Sequence, residues 1–482
     1  MTLQYKISLF VFLNLIGFNF FSQGLQLKFS EHISYSFDYK PISCYEYKNQ
    51  NILFQKNKKN KFCDLKVNFF DDILKNKNQF NILIKDEKFL CVRIFFDKIH
   101  LFTSKNTGVV TSLNYRIIDS KSNITEAINL FSEPNKSGYP TNYLVSEKSF
   151  KDNFYVIAEL PFQSGKQEDL KTITISSKME IINQTYNKLE LTFQSSRDNK
   201  IILSNDGEIY LLKKYWKNGN NFYIYKLGKE IISEKEIKFN DKKIAALDYF
   251  FNPKGELVLS GFYSSPVRYN YEGFFLVKYD ENLNMIHKNK FYFTNKIINE
   301  FKSSKEIKES GFGLDKFIIK DFTLDSLGNY FLMSEHISKI NLKNEKIWDS
   351  KGFLVIKFNK NGNYIWGSPV PLVQQNKNIS FMGVFTLNNP GKIKYFYNNL
   401  SNLSLRKGTP AEYGILNYTG TNEVDFDPSG VSEIKPISIN FPGKDTEKYA
   451  FIPKQLNPLS SGPSFFIILN EKASNIMLGS VK

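Results

Sequence analysis

The chain has 482 residues, 64 Lys and Arg against 48 Asp and Glu, and a net charge of +16. Its 16% aromatic content, with 45 Phe and 27 Tyr, favours strands, and no long segment combines helical periodicity with caps. The lysines are spread among Asn, Ile, Phe and Tyr rather than gathered, which argues against a nucleic-acid partner despite the charge.

The chain opens with an export signal. Lys6 is the lone charge before an apolar stretch from Ile7 to Phe21, and Ser22-Gln23-Gly24 then places small residues where a signal peptidase reads. The stretch is short for a bilayer span, and no later run is long and apolar enough to be one. The expectation is a signal peptide over 1–24 and a mature chain of 25–482 without a transmembrane segment. Its destination is the periplasm, the outer envelope or the exterior.

Export permits disulfides, and Cys44, Cys63 and Cys91 form an odd set. Cys44 and Cys63 both lie in strand-like segments and are the candidate pair, against which stands an intervening strand that would set them about 10 Å apart, beyond the reach of about 7 Å a disulfide needs, and Cys91 is expected to be a buried thiol. A zinc site is not expected, because there is no CxxC and the four His are scattered.

Beyond residue 200 a repeat emerges. Asp206-Gly207-Glu208, Lys254-Gly255-Glu256 and Leu327-Gly328-Asn329 are glycine turns, each followed by a short apolar strand. Gly273–Asp280 and Gly352–Asn359 follow the second and third, and the latter runs through Asn361-Gly362-Asn363 into Tyr364-Ile365-Trp366. Weaker copies start near Lys98, Phe154 and Gly391. Unit boundaries fall near 41–90, 91–147, 148–195, 196–240, 241–310, 311–378, 379–440 and 441–482. The spacing is that of propeller blades with insertions. The expected fold is all-β: one propeller of seven or eight four-stranded blades. Its last unit is a strand short, and residues 25–39 alternate like a strand, so the N-terminal strand is expected to close the ring.

The pattern resembles the SBBP-type bacterial β-propeller repeat. Gly255 to Ser264, Val424-Asp425-Phe426-Asp427-Pro428 and Phe353 to Trp366 each match a piece of that repeat, over about 240–430. The resemblance implies an exported propeller scaffold with no single reaction attached to it.

Two features suggest chemistry. Asp425 and Asp427 stand two apart near the Pro428-Ser429-Gly430 turn, where two carboxylates on one side of a strand could hold Ca²⁺. The alternative is a turn that uses Asp and Pro for their backbone preferences. Among Trp216, Trp348 and Trp366, Trp366 sits at a repeat position and reads as packing. Trp216, beside Tyr215 in a basic segment, is the candidate exposed aromatic for a glycan or peptide.

No GxSxG, HExxH or phosphate-binding loop is present. No cofactor is expected, apart from the Ca²⁺ reading. The expected function is a non-catalytic scaffold presenting loops to an envelope or extracellular protein or glycan. The alternatives are a propeller polysaccharide hydrolase or lyase, which needs only two placed carboxylates, and a structural subunit of an envelope complex.

Overall fold

The computed structural model describes residues 27–481 apart from 35–37, 120, 122, 137–138, 162–165, 193–197, 217–219, 229–230, 240, 266–269, 312, 343–344, 377–381, 390–391, 401–417, 438–448, 453–463 and 471–474. The expected export segment lies outside the described residues.

The chain is an all-β propeller of eight blades. Blades 1 to 7 are four-stranded antiparallel meanders over 39–84, 87–134, 142–192, 198–237, 243–292, 317–376 and 384–437. Blade 8 takes Tyr449–Ile452, Ser464–Asn470 and Asn475–Val481 from the C-terminal end and its outer position from Leu27–Phe29 and Ile33–Ser34. Leu27 faces Val481, and Ile33 faces Ile476. The closure expected from the short last unit is therefore the one observed. The first strands of blades 2 and 3, 3 and 4, 5 and 6, and 6 and 7 touch one another, which places the first strands on the inner side, around the central channel.

A blade buries both faces, and strand alternation explains how one sequence serves two neighbours. The strand Leu257–Ser264 is buried throughout. Its Val258 and Phe262 enter the cluster between blades 5 and 6, while Leu257, Leu259 and Tyr263 enter the one between blades 4 and 5. Such clusters fill seam after seam. Between blades 7 and 8 the filling is aromatic, with Phe385 stacked on Phe396 and on Phe466.

The same alternation separates the two cysteines of the candidate pair. Cys44 packs in the seam between blades 8 and 1, and Cys63 in the seam between blades 1 and 2. They lie on opposite faces of one sheet and are free thiols, as is Cys91, which is half-buried. Burial pushes Cys63 up to about 12 and Cys44 further.

The repeat's turn has a capping residue that outlasts its glycine. Asp71, Asn252, Asp280, Asp325, Asn359 and Asp427 each accept hydrogen bonds through Oδ1 from the backbone N–H groups two and four residues on. The residue three after the cap has positive φ. It is Gly255, Gly328, Gly362 or Gly430 in four of these turns, but Leu74 and Leu283 in the other two. Both leucines are almost fully buried, so packing offsets the backbone strain. These turns join first to second or third to fourth strands. Because strands alternate in direction, they gather on one face of the ring.

The other face carries the irregular connections. Two short helices, α1 (Asn295–Phe301) and α2 (Ser304–Ser310), lie between blades 5 and 6. The sequence reading anticipated no helix. Thr294 caps α1, and a capping box of Ser303 and Glu306 starts α2.

Candidate functional site

The face opposite the capped turns is where the ring departs from repetition. In blade 6 the second strand, Tyr330–Leu342, has 13 residues against 8 for Leu257–Ser264 in blade 5. The excess extends it by about 17 Å at the rise of a strand. Its partner Glu345–Phe358 pairs with it out to Leu342 opposite Glu345, and Tyr364–Asn376 follows as a third strand as far as Trp348. Lys339 lies over the Trp348 ring, and Trp348 packs against the seam cluster of blades 8 and 1. That cluster also holds Met382, just ahead of blade 7, so the hairpin packs back against the ring rather than standing free of it.

Two cavities open on this face. The first, about 160 Å³, lies between the helices and the root of the hairpin. Its apolar lining includes Phe301, Leu314 and Ile340, and its polar lining includes Lys302, Lys316, Lys351 and His336. Phe301 stacks on His336, and Phe317 meets the same ring edge-on. Lys351 bonds Glu306 Oε1 and the Phe301 carbonyl, tying strand to helices. That pairing, with Ser303, holds the Glu306 carboxyl down at about 2.

The second cavity, about 170 Å³, separates blades 4 and 5. Its walls are Leu212, Phe222, Ala245, Ala246 and Leu247, with Asp198, Lys200 and Lys214. The strand Lys243–Phe251 carries a register shift between Ile244 and Ala246. Two alanines at that irregularity supply too little side chain to fill the gap.

Lys200 also belongs to the channel. It lies over the Tyr249 ring, beside Asp248. Burial raises the Asp248 carboxyl, and Lys200 opposes part of that rise. Asp321, on the next blade, is pushed up to about 6 by burial, with the Thr386 hydroxyl working against and the charge of Asp248 with it. Asp321 Oδ2 has no hydrogen-bond partner. Further round, Tyr45 donates to the Val92 carbonyl, and Arg93 Nε donates to the carbonyl of Ser146. A carboxyl that titrates near neutrality beside a second carboxylate is equipped to exchange a proton.

Lys200, Asp248 and Asp321 occupy one repeat position. Each stands four residues before the capping residue of its turn, Ser204, Asn252 and Asp325 respectively. Aligning the repeats on that cap, rather than on the glycine, marks all three as channel-facing. The reading of the sequence had named none of them.

The residues it did name are placed apart. Tyr215 is buried in blade 4, edge-on to Tyr223, so it is not an exposed platform. Trp216 ends the strand Ile209–Trp216 opposite Asn220, and its side chain lies outside the described residues. Trp366 packs as expected, stacked on Phe426 and donating to the Pro428 carbonyl. Asp425 is in the strand Tyr418–Phe426, whereas Asp427 is past its end and caps a turn through Ser429 and Val431. Strand alternation therefore does not bring the two carboxylates together. Among the described residues, no group of three or more His, Cys, Asp and Glu is placed to hold a metal ion, and no helix is long and apolar enough to cross a membrane.

No family model and no curated protein sequence matches the chain. Among solved structures it is similar to a member of the DUF4221 family from Bacteroides vulgatus, at 14% identity and a TM-score of 0.34, covering 86% of this chain and 99% of that one. It is also similar to the polysaccharide lyase Uly1, at 9% identity and a TM-score of 0.41, covering 96% and 93%. A prolyl endopeptidase aligns at 8% identity and a TM-score of 0.41 over 90% of this chain, which spans 55% of that protein's length. At such identities a likeness is one of fold alone, and the eight sheets themselves establish this chain as a β-propeller.

Proposed function

We propose that the protein is an exported, non-catalytic binding propeller that meets a glycan or a protein through its hairpin-bearing face, in the cell envelope or outside the cell. The observation that carries this reading is the asymmetry of the two faces. One carries short hairpin turns, six of them capped alike by an Asp or Asn, while the other gathers the long hairpin of blade 6, the two helices and the two cavities described above. Binding residues concentrate on variable connections held by a rigid scaffold. Export is supported by Lys6 and the apolar run to Phe21, and the SBBP-type resemblance fits the same setting.

The test replaces residues 338–349 with a two-residue turn, which leaves the pairing of Ile337 with Ser350 in place. Binding to a panel of envelope and extracellular polysaccharides, and to intact cells, is then compared with a variant altered only at Lys254 on the capped-turn face. Loss of binding in the first alone supports the reading. Equal binding by both, at equal folded fraction, refutes it.

A second reading, a propeller hydrolase or lyase acting on polysaccharide, is favoured by Asp248 and Asp321. Their raised carboxyls share the channel. Asp321→Asn and Asp248→Asn should each abolish any bond cleavage detected by reducing-end or unsaturated-product assays. Cleavage that survives both changes removes these residues from the chemistry.

A further inference from the structure

On the rim of blade 5, on the hairpin-bearing face, one aromatic ring stands in solvent among paired charges. Tyr292 ends the outer strand Met285–Tyr292 just ahead of α1, and it is 61% exposed. Lys242, from the connection that enters the blade, holds its ammonium 5.9 Å from the centre of that ring and bonds Glu272 Oε2. Lys290, on the same side of the strand as Tyr292, bonds Asp241 Oδ1 at 2.6 Å. Both lysines are thus neutralised where they stand, and Lys288, one step back, lies over the Phe239 ring instead. Beside Tyr292 is a group that the fold leaves unsatisfied. Tyr263 is fully buried and meets Tyr292 edge-on with ring centres 6.0 Å apart, and its hydroxyl has no hydrogen-bond partner. Gly273 stands opposite Tyr263 in the ladder and admits that hydroxyl, since a Cβ there would lie 2.5 Å from its oxygen. Burial raises the Tyr263 hydroxyl, and Tyr292, Glu272 and Asp241 push the same way, so the buried group belongs to the same cluster as the exposed ring.

We infer that Tyr292 is the platform for an uncharged sugar ring, which stacks its C–H flank on the exposed aromatic face and bonds the Lys242–Glu272 and Lys290–Asp241 pairs through its hydroxyls. The inference rests on the binding reading above and names the ligand of that face as a neutral glycan. A sugar offers an apolar flank and a rim of hydroxyls that both donate and accept. The site offers the complement: a flat apolar ring, two ammonium donors and two carboxylate acceptors. Hydrogen bonds to charged groups are the stronger kind, and a hydroxyl makes them without breaking either ion pair. A charged ligand would be attracted by one member of each pair and repelled by the other. A sugar hydroxyl that reaches past the edge of Tyr292 gives Tyr263 the partner it lacks.

The test is calorimetric titration of the full chain with three neutral oligosaccharides, cellohexaose, maltohexaose and mannohexaose, and with hexagalacturonate as the charged comparison. At least one neutral hexaose should bind more tightly than hexagalacturonate, and added salt should leave its affinity unchanged. Tyr292→Ala should weaken that binding roughly tenfold or more, the scale of losing a stacked aromatic. Tyr263→Phe should weaken it severalfold without lowering the unfolding midpoint, because it removes only a hydroxyl that the empty site leaves unpaired. Tyr139→Ala, at a tyrosine likewise exposed on the connection between blades 2 and 3, should change nothing. If Tyr292→Ala loses stability, Tyr292→Leu, which keeps an apolar side chain without a flat ring, carries the same expectation. Absence of binding by all three neutral hexaoses, tighter binding of hexagalacturonate, or parental affinity in the Tyr292 variants or in Tyr263→Phe overturns the inference. If hairpin removal still abolishes binding to cells or polysaccharides, the binding reading survives that failure. If hairpin removal also changes nothing, both readings fall.

Discussion

Ser30 and Leu478 lie 448 residues apart and exchange two hydrogen bonds, each 2.8 Å long. One runs from the Ser30 N–H to the Leu478 carbonyl, and the other from the Leu478 N–H to Ser30 Oγ. Ser30 links Leu27–Phe29 to the stretch that reaches Ile33–Ser34, so these bonds tie the first described strands to the last. Ser30→Ala leaves the Leu478 N–H unpaired in a buried seam. It should cost about 1–3 kcal/mol by urea denaturation. Deleting residues 25–34 should do more: lower the unfolding midpoint of the whole ring and expose a sheet edge that promotes aggregation. A deletion variant that melts like the parent would show that the seam adds nothing to stability.

The capped turns supply a graded test of backbone against packing. At Gly255, φ is +78 and a Cβ meets nothing nearer than 3.9 Å, so Gly255→Ala should cost about 1–2 kcal/mol, the price of the left-handed conformation alone. At Gly430, φ is +87 and a Cβ would lie 2.6 Å from the Trp366 ring, so Gly430→Ala should cost more. Leu283→Gly reverses the logic: the backbone relaxes, but a fully buried leucine is lost. The net should be destabilising by about 1–3 kcal/mol. Equal losses at Gly255 and Gly430 would contradict the packing of Trp366 on the turn.

Asp321 should leave a signature in the pH dependence of stability. Its carboxyl titrates near 6 in the fold and near 3.8 as an ordinary side chain. The folded state therefore prefers the protonated form. That preference is fully present below about pH 4 and is lost as the pH rises through 6. Asp321→Asn removes the loss. It should stabilise the protein by about 3 kcal/mol at pH 7 and by nothing below pH 4. Subtracting the two pH profiles isolates this group from the other carboxylates. A flat difference would mean that Asp321 is not held above its ordinary range.

The thiols should be silent until the chain unfolds. Burial raises all three, with Cys63 near 12, so the thiolate is scarce at pH 8. A thiol-reactive dye should label the native protein very slowly. In denaturant without reductant it should find three thiols per chain. Finding one would restore the bridge between Cys44 and Cys63 that their opposed faces argue against.

Much of the architecture was legible because its parts are local. Turns at Gly207, Gly255, Gly328 and Gly362 marked blades 4, 5 and 6, and all four glycines have positive φ. The missing strand of the last unit was legible by counting. What escaped did so for physical reasons. The turns at Leu74 and Leu283 carry the same bend without a glycine. The helices have 7 residues each, too short for a period, although the capping box at Ser303 and Glu306 was visible. Which of two faces a strand residue takes depends on parity relative to bulges, as at Pro41 and Ser43, and this hid that Cys44 and Cys63 face opposite seams. The channel residues Asp248 and Asp321 have no spacing that advertises chemistry, because the ring and not the local chain brings them together.

The seam also orders events in time. Within each of the first seven blades, every strand pairs with a neighbour made moments before or after it, so these units can form as they emerge. The strand Leu27–Phe29 is made before the seven complete sheets, yet its partner Asn475–Val481 is made after all of them. Throughout synthesis it must remain available while complete sheets accumulate behind it. Only arrival of the C-terminal strands ends that wait. A ribosome stalled inside blade 8 would therefore hold a nearly finished ring that cannot lock, with both of its ends open to other chains.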